Sequence, residues 1–145
     1  MSPSATAGQA KRPRKGGFRS QCPLATALDL VGDRWSLVLV RDMMMRKGKY
    51  QEFLNSPEGI PTNILADRLK SLECRGIIRR RRYQSNPARY EYILTRKGAE
   101  LLPVLQQLAI WAQKHVPGRW APPQRFYDTT PGDLLKPKAP ERKAK

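Results

Sequence analysis

The sequence predicts a mainly α-helical domain carrying one small β-hairpin, and three patterns support that expectation. Apolar residues recur at helical spacing, as in Leu24, Ala27, Leu28 and Val31, which form the i, i+3, i+4, i+7 stripe of a helix with one buried face. Two runs rich in β-branched and aromatic residues, 77–83 and 89–94, flank Gln84-Ser85-Asn86-Pro87, the composition of two strands and their loop. The two ends, 1–19 and 117–145, are basic, bear Gly and Pro, and have too little apolar content to offset their ordering entropy. The expected organisation is a flexible basic arm over 1–19, one folded domain over 20–116 and a flexible basic tail over 117–145. A chain of 145 residues suits one domain better than two.

Within the domain each element has a local cause. Pro23 suits the first position of a helix, so the Leu24–Val31 stripe is expected to start there. Gly32 interrupts it, and Asp33 is placed to cap a second helix over about 34–45. That helix is apolar nearly all round, with Trp35, Leu37, Val38, Leu39, Val40 and Met43-Met44-Met45, so it belongs at the centre of a core. A short helix near 50–55 turns Phe53 and Leu54 inward, Ser56-Pro57-Glu58-Gly59 reads as a turn, and a longer helix follows from Pro61 to Arg75. Its buried stripe is Leu65, Leu69 and Leu72, and Gly76 stands just past its end, where helices commonly stop. This is a helix, a turn and a helix. Thr95 is expected to cap a last helix carrying Leu101, Val104, Leu105, Leu108, Trp111 and Ala112, kinked by Pro103.

The charge narrows the function. Lys and Arg number 28 against 12 Asp and Glu, a net charge of +16, and such self-repulsion points to an anionic partner. Residues 1–21 and 76–100 carry +5 each, and 22–75 carry only +1. No apolar run approaches the roughly 20 residues that span a bilayer, and the N-terminus shows no apolar signal core, so the expectation is a cytoplasmic protein acting away from membranes. Cys22 and Cys74 are too few for a disulfide framework. With His115 as the single histidine, the sequence offers no metal cluster, and it shows no nucleophile–base pair or phosphate-cradling loop. No cofactor and no enzymatic activity are expected.

The candidate interface lies on the helix-turn-helix and the hairpin. Thr62 and Asn63 occupy the first turn of the 61–75 helix, where a recognition helix reaches base edges in the major groove, and Asn pairs well with adenine. Arg68 lies one turn on. It contacts DNA in one reading, and in the other it pairs with Asp67 or Glu73 and holds the motif together. Arg79 to Arg82 form an unbroken basic run on the first strand, and side-chain alternation lets only two of them share a face. Arg80, Arg82 and Arg89, with Lys49 ahead of the short helix, complete the expected DNA-binding set. The competing reading of the basic strand is an edge charged against aggregation; the adjoining helix-turn-helix favours DNA.

In order along the chain these residues resemble the HxlR-type winged helix-turn-helix regulators. The matches are Cys22-Pro23, Gly32 and Trp35, Tyr50-x-Glu52-Phe53-Leu54, Gly59-Ile60, and Leu65-x-x-Arg68-Leu69-x-x-Leu72-Glu73-x-x-Gly76. They continue with Pro87-x-Arg89-x-Glu91-Tyr92-x-Leu94-Thr95-x-x-Gly98 and Trp111. The resemblance implies a homodimer joined through the first and last helices, with two recognition helices on a palindromic stretch of double-stranded DNA. It departs at Pro61, where many members have a capping Ser, and the two basic ends lie outside it. In several members a cysteine matching Cys22 senses oxidants or electrophiles. A thiol at a helix N-terminus near Arg19 favours the thiolate, whereas the plainer reading is a small residue packed beneath the dimer interface. Trp35 and Trp111 fit core or interface, and an oxidant or small-molecule effector has no identity here. The alternative function is a basic RNA-binding or nucleoid-coating protein without operator specificity.

Overall fold

The computed structural model describes residues 17–137, so most of the expected N-terminal arm and the last eight residues lie outside it. The described residues fall into two compact units, divided between Asp33 and Arg34. The first unit holds α1 (Pro23–Val31), with proline in its first turn. Arg19 binds Asp29 through both its guanidinium and its backbone N–H. These bonds hold the Asp29 carboxyl below its ordinary range. Leu24 is 68 % exposed and Leu28 51 %.

The second unit begins with α2 (Ser36–Met44), whose Leu39, Val40 and Met43 are buried. Leu37, Val38 and Met44 are half-buried and Met45 is exposed, so one face of the helix rather than all of it lies in the core. Its N-cap is Trp35, so the helix starts two residues later than the expected Asp33 cap would place it. The helices α3 (Tyr50–Leu54) and α4 (Thr62–Cys74) flank the turn. Phe53, Leu65, Leu69 and Leu72 are each at most 1 % exposed, and each such side chain contributes roughly 1.5–3 kcal/mol on burial. Gly59 sits in the turn at φ +67°, a left-handed conformation that residues with a Cβ adopt at a cost.

The antiparallel hairpin of β1 (Ile78–Ser85) and β2 (Ala88–Leu94) follows α4 directly and forms the wing. Ile78 faces Leu94 at its buried base, and Arg82 pairs with Tyr90. The register then slips between Arg82 and Gln84, leaving Tyr83 as the extra residue of a bulge. Gly48 approaches β2 closely: its carbonyl accepts the Tyr92 N–H at 2.8 Å, and a Cβ there would stand 2.5 Å from the Tyr92 oxygen.

Two expectations fail after the wing. Thr95 does cap a helix, accepting the Gly98 N–H at 3.2 Å, but that helix is only α5 (Arg96–Ala99). The chain breaks at Glu100-Leu101 and restarts as α6 (Leu102–His115), with Pro103 in its first turn. There proline removes no helical hydrogen bond, so the expected kink is a boundary. The second failure concerns the tail. Residues 118–137 are not an unstructured extension: α7 (Gln124–Asp128) and α8 (Pro131–Leu135) form there, and Leu134 is buried. Gln106 of α6 donates to the carbonyl of Phe126 at 2.9 Å. Arg46, in the left-handed region at φ +64°, donates to the carbonyls of Asp133, Leu134 and Lys136 at 2.9–3.1 Å. It thereby satisfies the last carbonyls of α8, which a helix of five residues leaves open. At the other end of α8, Asp133 accepts hydrogen bonds from Thr130 and Lys136, which hold its carboxyl near pKa 2.

Candidate nucleic-acid interface

The turn of the helix-turn-helix is clamped to α2 by charge. Asp42 is fully buried and accepts the Ser56 hydroxyl at 2.5 Å and the Arg41 guanidinium at 2.8 Å. The same guanidinium grips Glu58 with both ends, at 2.6 and 2.9 Å. This bidentate bond is the main reason the Glu58 carboxyl lies below its ordinary range, and it raises the Arg41 pKa further. Buried charges persist only when paired and hydrogen-bonded, and here the pairing fixes Ser56–Glu58 on α2. Tyr50 adds a second tie, its hydroxyl donating to the Thr62 carbonyl at 2.9 Å, so α3 sets where α4 begins.

Thr62 and Asn63 stand exposed in the first turn of α4, as expected. Arg68 does not join them. It is half-buried on the flank of the Leu65/Leu69/Leu72 stripe, its side chain 33 % exposed and its guanidinium 3.7 Å from Asp67. Five residues along a helix rotate a side chain by about 140°, which takes Arg68 off the Asn63 face. This position fits the structural reading of Arg68, pairing with Asp67, better than the DNA-contacting one. The residues that do share that face are Ala66, Asp67 and Lys70, all exposed. Lys70 was not among the expected residues, although the spacing 63, 66, 67, 70 is the exposed complement of the buried stripe.

The wing distributes its arginines unequally. Arg80 is tied to α4 through Glu73 at 3.0 Å and lies over the Tyr90 ring at 5.5 Å. Arg82 lies over the same ring at 5.7 Å and donates to the Tyr90 hydroxyl at 3.3 Å. That bond, with the charges of Arg82 and Arg80, lowers the Tyr90 pKa. Tyr92, nearer the core, is shifted upward, chiefly by burial. Arg81 is neutralised across the strands by Glu91 at 2.6 Å. Arg79 and Arg89 are exposed. Lys49 reaches the wing, its ammonium 4.7 Å from the Tyr83 ring centre. The expected residues thus divide into Thr62 and Asn63 on α4, Arg82, Arg89 and Lys49 on or against the wing, and Arg68 and Arg80 in internal pairs. Cys22 is exposed at the N-cap of α1, but Arg19, expected as its cationic neighbour, is held by Asp29.

If Arg82 and Arg89 meet phosphates, replacing either with Ala weakens binding to operator and random DNA alike. It also lowers the slope of log affinity against log salt by about 0.9 per lost contact. Arg80→Ala changes that slope less, because its charge is already matched by Glu73. Fluorescence anisotropy across a salt series checks this, and an unchanged slope for both Arg82→Ala and Arg89→Ala removes the wing from the interface.

Among the described residues no helix is long and apolar enough to cross a membrane. Residues 30–119 match the HxlR-like helix-turn-helix family. The chain is 37 % identical over 84 residues to sll1512 of Synechocystis sp., an uncharacterised HTH-type transcriptional regulator, covering 58 % of this chain and 62 % of that protein. Among solved structures, PA1607, a candidate transcription factor, is 34 % identical, with a TM-score of 0.65 over 72 % of this chain and 73 % of that one. The redox regulator HypR in its oxidised form is 31 % identical, with a TM-score of 0.60 over 69 % of this chain and all of that one. With the helix-turn-helix, its wing and these likenesses in agreement, the chain belongs to the HxlR-like helix-turn-helix family of DNA-binding transcriptional regulators.

Proposed function

We propose that the protein regulates transcription in the cytoplasm as a homodimer on a palindromic operator, with α4 in the major groove and the wing on flanking phosphates. The observation that carries this is the exposed face of α4, where Thr62, Asn63 and Lys70 stand beside a cationic hairpin. The twofold assembly is supported by apolar side chains left in solvent: Leu24 and Leu28 on α1, and Leu108 and Trp111 on α6, the last 62 % exposed. A dimer burying them would separate the two recognition helices by about 34 Å, one turn of DNA.

Asn63→Ala is expected to cost on the order of 1–3 kcal/mol at the operator and to relax preference at one base pair per half-site. Footprinting of the upstream region, followed by binding to single-base operator variants, reads both effects. An equal loss on operator and random DNA makes Asn63 a backbone contact. Uniform coverage with no discrete palindrome favours the nonspecific nucleic-acid-binding alternative.

The regulator is further read as responsive to oxidants through Cys22, supported by the exposure of its thiol and by the likeness to a redox regulator. Cys22→Ser should bind the operator as the wild type does and keep binding after peroxide treatment that releases the wild type. Equal release of both proteins assigns the sensing elsewhere.

A further inference from the structure

A pocket of about 870 Å³ opens between α2, α6 and the segment from Gly118 to Leu134. Its apolar wall includes Val38 of α2, Leu105, Ala109 and Ala112 of α6, and Phe126 of α7. The volume falls within the range of small-molecule sites, which are mostly apolar with a few placed polar groups. Those groups are of one sign. Arg41, Arg46, Arg119 and Arg125 line the pocket, and no Asp or Glu is among its lining residues. Arg46 is engaged with the carbonyls of α8, whereas Arg119 and Arg125 make no ion pair among the described residues. An apolar chamber with four arginines and no Asp or Glu in its lining suits a ligand that is apolar over most of its surface and anionic at one end.

Arg41 gives the pocket a connection to the DNA-binding motif. Its side chain lines the chamber and at the same time grips Glu58 in the turn between α3 and α4. We propose that this pocket binds an amphipathic organic anion, an aromatic or aliphatic body bearing one carboxylate-like group, and that the anion acts on the helix-turn-helix by competing with Glu58 for Arg41. Drawing the guanidinium from Glu58 loosens Ser56–Glu58 from α2 and so changes how α4 is presented. Binding to the pocket is independent of the operator reading, and only its effect on DNA rests on that reading.

The test uses the full chain and two fluorescent probes of similar shape, 8-anilinonaphthalene-1-sulfonate and its neutral relative N-phenyl-1-naphthylamine. Both should bind saturably at one site per protomer. The double substitution Arg119→Ala/Arg125→Ala should weaken the sulfonate about tenfold or more, the effect of a lost charge-assisted hydrogen bond, and leave the neutral probe within about twofold. Ala109→Trp, which fills the chamber, should abolish both signals with the circular dichroism unchanged; the contrast between the two probes stands without this variant. Glu58→Gln releases Arg41 from its bidentate carboxylate and leaves it paired with Asp42 alone, and should tighten the sulfonate several-fold. Saturating sulfonate should reduce affinity for an operator duplex. Equal sulfonate affinity in the arginine double variant overturns the anion site. No tightening in Glu58→Gln overturns the route through Arg41. Because Leu108 also lines the chamber, dissociation is tested with Trp111→Glu, whose side chain lies outside that lining and is exposed. Probe binding that appears only in this dissociated variant makes the chamber a surface covered by a second copy, and overturns the pocket.

Discussion

Leu108→Glu should convert the protein to monomers and lower operator affinity by roughly 10²–10⁴-fold. Two half-site contacts on one duplex reinforce each other because the second is made at high effective concentration, and separating the subunits removes that gain without touching an α4 side chain. The substitution is suited to this because Leu108 is already 50 % exposed, so a carboxylate there stays solvated in the monomer. In a dimer it would be buried without a partner, at a cost of several kcal/mol. Sedimentation velocity and far-ultraviolet circular dichroism decide the outcome together. Monomers that keep their helices and lose the operator support the twofold assembly. A wild-type protein that remains monomeric at micromolar concentration and still binds one palindrome tightly refutes it.

The second large effect belongs to Asp42. Asp42→Ala removes the acceptor for Ser56 and one partner of Arg41 from a fully buried position, and breaking such a pair costs about 3–5 kcal/mol. That is a large share of the 5–15 kcal/mol that stabilises a domain of this kind. Urea denaturation should show it as a drop in midpoint with little change in slope. Asp42→Asn, which keeps an acceptor for Ser56, should fall between. The same network sets a pH dependence. Because Arg41 holds the Glu58 carboxyl below its ordinary value, Glu58 adds stability that is complete above that ordinary value and is lost as the pH falls through the lower folded one. Glu58→Gln should flatten this acid limb, and an unchanged limb would place the titrating group elsewhere.

Much of this fold was legible because its signals are local and periodic. The stripe Leu65/Leu69/Leu72 identified α4, and the composition of 77–83 and 89–94 identified the wing. The same stripe places Arg68 on its flank, which is why two roles for it stayed open, and it places Lys70 on the open face with Asn63. The basic run pointed to Arg80, but its pairing with Glu73 was not legible, because strand alternation says nothing about a neighbouring helix. Pro103 was ambiguous in isolation; it marks a helix start only once Glu100-Leu101 is known to break the chain. The 118–137 segment was misread for a deeper reason. Its composition cannot sustain order alone, and what orders it are the side chains of Gln106 and Arg46, which lie far away in sequence.

That dependence has a kinetic consequence. Helices of five residues are far below the length that is stable in isolation, so α7 and α8 stay folded only while docked on α5, on α6 and beside the end of α2. They therefore constitute a cooperative unit of their own, able to detach and re-dock while the core around Leu39, Phe53 and Leu69 remains closed. Backbone amides from Phe126 to Lys136 should exchange with solvent deuterium at the rate of this partial opening, well ahead of those in α4. Because the same segment forms one wall of the arginine-lined chamber, a ligand held there should favour the docked state, and exchange of these amides should slow when the chamber is filled.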